Sequence, residues 1–139
     1  MDKKTITLIG AGLAGPLMAT YLAQQGFTVE IFERRNDMRT VKLSSGRSIN
    51  LALSIRGIHA LKEVGLYEKI APIMIPMKGR MIHDMDGKTN LQPYGLRDAE
   101  VIYSVSRAQL NKELMTFAEG TGNVKIHFNH ELSSVDLYA

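Results

Sequence analysis

TITLIGAGLAG, Thr5 to Gly15, is the stretch on which the fold turns. Thr5–Ile9 is a short apolar, β-branched run that stops at a glycine cluster, as a buried parallel strand does. GAGLAG, Gly10 to Gly15, is then G-x-G-x-x-G. In that pattern Gly10 allows a tight turn, Gly12 lets a pyrophosphate approach the main chain, and Gly15 lets the following helix pack closely on the strand. Residues 13–25 read as that helix, with Leu17, Met18, Tyr21 and Leu22 on one stripe, Pro16 in the first turn and Gly26 as the stop. Residues 27–33, FTVEIFE, are a second strand and complete a βαβ unit. Glu33 ends it at the spacing expected of a carboxylate that bonds an adenosine ribose hydroxyl and repels a 2′-phosphate. The loop therefore points to FAD or NAD rather than NADP, without separating the first two. The alternative is a glycine-rich turn with no ligand.

Further along, residues 34–45 are polar and read as a loop. GRSINLALSIRG, Gly46 to Gly57, alternates too poorly for a surface strand and is too polar at its start for a core helix. A helix is expected from Ile55 to Val64, with Ser54 as N-cap and Gly65 as stop. Met77–Tyr94 reads as a hairpin folded at Asp86-Gly87, and Val101–Val105 as a strand. A helix capped by Ser106, with Gln109 closing a capping box, runs to Glu119 and stops at Gly120. Strands are expected at Val124–Phe128 and near Leu132–Leu137. Two parallel strands make no stable doubly wound sheet, so the order of elements implies more sheet and a longer protein of which these residues are the N-terminal part.

Composition excludes several classes. The 139 residues include no cysteine, which removes disulfides, zinc–thiolate sites and cysteine nucleophiles. The net charge of +3 is mild and the arginines are scattered, so no nucleic-acid tract is present. No apolar run approaches a membrane span, and the first strand leaves no room for a leader, which gives a cytoplasmic expectation. His127 and His130, three apart on an expected strand, point to opposite faces and make a poor metal pair, so no metal site is assigned. No acid–base dyad is evident, and no catalytic residue is assigned.

Three arginines raise questions. Arg107 falls at the first position of the Ser106-capped helix, against the positive end of the dipole. It is either a solvated surface arginine or one that helps the helix end hold an anion. Arg56, in the first turn of the preceding helix, raises the same question more weakly. Arg80 and Tyr94 each lie seven residues from Gly87, which sets them opposite each other on a hairpin centred there. Guanidinium and phenol together suit a carboxylate, although spacing alone favours a surface cation packed on a ring.

GAGLAG, GRSINLALSIRG, IPMKGRMIHDMDGK, PYG, SVSRAQLNKEL and NVKIHFNHEL together resemble the kynurenine 3-monooxygenase family, within the single-component FAD-dependent aromatic hydroxylases, from Lys4 to about Leu137. The resemblance implies an α/β fold: a Rossmann-like FAD-binding domain of the p-hydroxybenzoate-hydroxylase type, incomplete, whose substrate sheet begins at about residues 77–105. It implies FAD along Gly10, Gly12, Ala14 and Gly15, with Phe32, Glu33, Arg34 and Arg35 at the adenosine end. Ala52, Arg107 and Leu132 match further FAD-touching positions, and Arg80 and Tyr94 match the pair that holds the amino-acid carboxylate of L-kynurenine. Arg47, Ser48 and Asn50 fall near the isoalloxazine by position in the motif. Ile55 departs from the family, some members having histidine there. The implied reaction uses NADPH and O2 to make 3-hydroxykynurenine through a flavin C4a-hydroperoxide, with little or no turnover by the 139 residues alone. The rival readings are an NAD-dependent dehydrogenase and a non-catalytic nucleotide-binding module.

Overall fold

The computed structural model describes residues 4–40, 49–97 and 100–136. The chain forms two compact units, Met1–Ser48 with Ala108–Ala139, and Ile49–Arg107.

In the first unit, β1 (Thr5–Ile9), β2 (Thr28–Glu33) and β8 (Val124–Phe128) form a parallel sheet in the order β1-β2-β8. Thr5 pairs with Thr28 and Val29 with Val124. The third parallel strand thus comes from the far end of the chain. One sheet face, carrying Val29, Ile31, Val124 and Ile126, is buried with Ala19 and Ala23 of α1 (Ala14–Gln24) and Met115 and Ala118 of α4 (Arg107–Gly120). Alanines at these contacts let helix and sheet approach closely, and the buried apolar surface stabilises the unit at roughly 25 cal/mol per Å². Pro16 stands in the first turn of α1, where an N–H would be unsatisfied anyway. Its carbonyl accepts from the buried Thr20 hydroxyl at 2.9 Å. After α1, Gly26 N–H donates to the Ala23 carbonyl and Phe27 N–H to that of Leu22, the paired bonds of a Schellman stop.

The loop after β2 is clasped to this core. Arg39 Nε and Nη2 bond both oxygens of Asp37, and Nη1 bonds Glu119 Oε2 at 2.7 Å. Glu119 Oε1 in turn accepts from the Ile126 amide. Arg39 hydrogen-bonds and neutralises Asp37, holding its carboxyl below the usual range, while Asp37 and Glu119 raise the Arg39 guanidinium.

In the second unit, β3 (Asn50–Leu53), β7 (Ile102–Ser106) and β4 (Ile75–Met77) form an antiparallel sheet with β7 central. Helices α2 (Ile55–Glu63) and α3 (Tyr67–Ile70) follow β3, and Leu53, Leu61, Val64, Leu66, Ile70 and Val105 are buried. Strands β5 (Gly79–His83) and β6 (Thr89–Pro93) make a separate two-stranded sheet.

Several expectations are corrected. The ambiguous GRSINLALSIRG contains a boundary: four residues of strand with Leu53 inward, then a helix from Ile55, so neither period runs through it. Its first residues, Arg47 and Ser48 among them, lie outside the described residues, as does part of the loop expected over residues 34–45. Ser54 stands at the N-cap with extended backbone but makes no side-chain cap bond. Residues 131–136 form no strand; Asn129 takes a left-handed φ of 59° after β8 and turns the chain away. That turn also brings the His130 ring to 5.9 Å from His127, where continued strand alternation would have separated them.

Candidate functional site

The first unit places the βαβ glycine loop at the carboxyl end of its sheet. Gly10 has φ of 95°, open to glycine but strained for other residues. Its N–H donates to the Phe32 carbonyl at 2.8 Å, so the loop starts where β2 ends. A methyl group on Gly15 would stand 2.0 Å from the Gly10 carbonyl oxygen, whereas one on Gly12 would meet nothing within 4 Å. These two glycines do different things. Gly15 is required by packing inside the protein, and Gly12 presents bare backbone on the exposed side.

The start of α1 carries no side-chain cap and no acidic residue in its first turn. Its free N–H groups and dipole therefore favour a phosphate. Glu33 faces the same loop: Oε2 accepts from the Ala11 amide at 2.7 Å and Oε1 from the Arg35 amide at 3.0 Å. Each carboxylate oxygen keeps a second acceptor position for a sugar hydroxyl. A bare glycine, an uncapped helix start and a carboxylate fixed beside them fit the phosphate and ribose of a dinucleotide.

The remaining expected residues divide. Phe32 points to the opposite sheet face from Glu33, where its ring stacks on His127 with centroids 4.7 Å apart, so it serves the loop through its carbonyl rather than its ring. Ala14, in the first turn of α1, is exposed. Arg34 lies near Glu131 at 3.9 Å, with both side chains largely in solvent. Arg35 is fixed through its backbone, its carbonyl accepting from Asn129. Leu132 is exposed in the extended tail.

Within the second unit, Ala52 is exposed on β3 opposite Ser104. Arg107 heads α4 with its N–H donating to the Ile49 carbonyl at 3.3 Å. Its guanidinium has no acidic partner among the described residues, which leaves both alternatives, a solvated arginine and an anion-holding one, open.

Arg80 and Tyr94 are not directly opposite. Asp84 N–H donates to the Lys88 carbonyl and Gly87 N–H to that of Asp84, with Gly87 at φ 79°. The turn is therefore a three-residue loop, 85–87, with its bulge at Gly87. That geometry sets Arg80 against Gln92, while the Tyr94 amide reaches the Lys78 carbonyl at 2.9 Å. Tyr94 becomes the diagonal neighbour of Arg80 on the same face, about 7–8 Å away and still within reach of a shared ligand. Arg80 gives Nε and Nη2 to Gln92 Oε1 at 3.0 and 2.8 Å. Nη1 is left without a protein partner among the described residues.

One site residue escaped the sequence. Asn111, on the inner side of α4, donates Nδ2 to the Ala11 carbonyl at 3.1 Å. The available signal was a poor helix former flanking the buried stripe of Leu110 and Leu114.

With this geometry the comparisons agree. Residues 3–137 match the FAD binding domain family, and the chain belongs to that family. Its fold is the one shared by flavoprotein aromatic monooxygenases. The 2-methyl-3-hydroxypyridine-5-carboxylic acid oxygenase superposes with TM-score 0.79 at 20% identity, covering 98% of this chain and 34% of that one. The p-nitrophenol 4-monooxygenase of Pseudomonas putida gives 0.75 at 18%, covering 96% and 34%. In sequence the chain is similar to kynurenine 3-monooxygenases. It is 52% identical over 134 residues to that of Myxococcus xanthus, which is 96% of this chain and 29% of the relative. To that of Sus scrofa it is 46% identical over 132 residues, 95% and 28%. The chain thus spans under a third of the length of these relatives. Among the described residues no helix is long and apolar enough to cross a membrane.

Proposed function

We propose that this chain forms part of the FAD site of an aromatic monooxygenase that hydroxylates L-kynurenine to 3-hydroxykynurenine, with NADPH and O2 as co-substrates. The observation that supports it best is the glycine loop with Glu33 bonded to its Ala11 amide. The names of the relatives supply the substrate. Bound FAD supplies the redox chemistry by which electrons from NADPH activate O2, so that one oxygen atom enters the ring and the other leaves as water.

The residues of this chain bind and orient. The α1 N-terminus and the open backbone at Gly12 take the pyrophosphate, and Glu33 takes the ribose hydroxyls. Ala14, Arg34, Arg35, Ala52 and Leu132 are assigned to the cofactor, and the guanidinium of Arg107 to its phosphates. Arg80 takes the amino-acid carboxylate of kynurenine through Nη1 and Nη2 while Gln92 steadies its Nε edge, and Tyr94 adds a neutral donor from the diagonal. The hairpin then belongs to the substrate sheet.

Purified full-length protein should carry a flavin absorbance spectrum. It should oxidise NADPH faster when kynurenine is added and release 3-hydroxykynurenine. A protein that stays colourless with added FAD but reduces NAD would be a dehydrogenase. One that binds nucleotide without turnover would be a binding module.

A further inference from the structure

We infer that Asn111 is a positioning residue for the phosphate loop, setting the orientation of the Ala11–Gly12 peptide and, through residue Ala11, steadying the neighbouring N–H that the cofactor carboxylate Glu33 accepts from. The inference rests on the flavin reading above and adds a residue to it. Ala11 is held on both sides: its N–H, in the Gly10–Ala11 peptide, donates to Glu33 Oε2 at 2.7 Å, and its carbonyl, in the Ala11–Gly12 peptide, accepts from Asn111 Nδ2 at 3.1 Å. Ala11 itself is only 3% exposed, so water does not compete freely for these bonds.

The orientation of the Asn111 amide follows from its neighbours. Nδ2 also lies 3.4 Å from Met38 Sδ, so its two N–H groups face two acceptors, while Oδ1 is buried with no partner among the described residues. Turning the amide over would set Oδ1 against the Ala11 carbonyl, two acceptors facing one another. Met38 stands between Asp37 and Arg39, which are bonded to each other and, through Arg39, to Glu119 of α4. A continuous set of contacts therefore runs from α4 to the loop and on to Glu33. A side chain kept only for packing would be apolar here, beside Leu110 and Leu114. An asparagine that buries its side-chain oxygen here is accounted for by the donor role of its Nδ2.

Two variants of the full-length protein test this. Asn111→Asp keeps the size and replaces the donor by an acceptor; Asn111→Ser folds under milder demands should the first fail. The loop contacts the adenosine diphosphate half of the cofactor, so the Kd for FAD and for ADP should rise together, each about tenfold. Amide hydrogen exchange at Ala11 in the apoprotein should quicken by a similar factor, a readout that needs no cofactor. Unchanged exchange and unchanged Kd values would overturn the inference. So would weaker FAD binding with ADP binding intact, which would locate the effect away from the loop. A wild-type protein with no affinity for FAD or ADP would refute the flavin reading instead, and the exchange rate alone would then decide whether Asn111 sets the peptide.

Discussion

The phosphate loop and the β5–β6 hairpin carry chemistry in opposite ways. The loop works with backbone: Gly12 bares it, Gly15 makes room for it, and Glu33 and Asn111 hold the two peptides that flank Ala11. The hairpin works with exposed side chains, Arg80, Gln92 and Tyr94, on a two-stranded sheet whose register is set by one turn. A backbone site is over-determined by packing where it meets the protein, as at Gly15, and open where it faces solvent, as at Gly12. A side-chain site on a thin hairpin can lose a group and keep its shape.

The largest effect expected is at Gly15. Its alanine methyl would stand 2.0 Å from the Gly10 carbonyl, and backbone cannot yield as a side-chain tip does. Gly15→Ala should destabilise the protein by about 3 kcal/mol and abolish FAD binding, read by urea unfolding and flavin absorbance. Gly12→Ala should leave stability within about 0.5 kcal/mol yet still weaken FAD severely. Equal loss of stability in both variants would erase the distinction between the two glycines.

Next is Arg80→Ala, which should break the hairpin site alone. Losing a charge-assisted contact of about 2 kcal/mol raises the kynurenine KM about 30-fold, with FAD content unchanged. Loss of flavin from this variant would mean that Arg80 serves the cofactor.

Much of the first unit was legible because its signals are local and redundant. A β-branched run, three glycines at fixed offsets, a helical stripe and a second strand ending in Glu33 all agree. The edge strand β8 was legible as a strand, but its pairing with β2 joins residues 95 apart, from Val29 to Val124, and no local pattern encodes that. Strand β3 was hidden because it is four residues long and ends at a helix start. The hairpin register was misread for a physical reason: Asp-Gly signals a turn but does not choose between a centre on Gly87 and the centre on Asp86 seen here. That choice moves Tyr94 from opposite Arg80 to its diagonal. Asn111 could not be read as a loop contact, since its partner Ala11 lies 100 residues away.

Arg39→Met should sharpen the loop side of the comparison. It removes a clasp whose three side chains are each less than a third exposed. Partial exposure screens the pair, so a loss of about 1–2 kcal/mol is expected. The Asp37 carboxyl is depressed in the folded state, first by its bonds to Arg39. A depressed carboxyl contributes stability above its unfolded value near 3.9 and loses it as pH falls through the lower folded value. The gap between wild type and variant in urea midpoint should therefore be full at pH 6 and narrow below about pH 4. A gap that stayed constant to pH 2.5 would assign the clasp's contribution to the Arg39 guanidinium over the Phe128 ring, 5.5 Å from its centroid, rather than to its bonds with Asp37.

The smallest effect, and the finest test of the side-chain site, is Tyr94→Phe. From its diagonal place opposite Lys78 the phenol offers one neutral hydrogen bond to a ligand gripped by Arg80. Such a bond contributes about 0.7 kcal/mol net, so the kynurenine KM should rise about threefold, with kcat and FAD content unchanged. The ring remains in phenylalanine, which separates the hydroxyl from any stacking of the aromatic face. A KM raised as far as by Arg80→Ala would show that phenol and guanidinium act as one grip despite the diagonal register. A wild-type KM would take Tyr94 out of substrate binding and leave Arg80, steadied by Gln92, as the hairpin's sole anchor for the carboxylate.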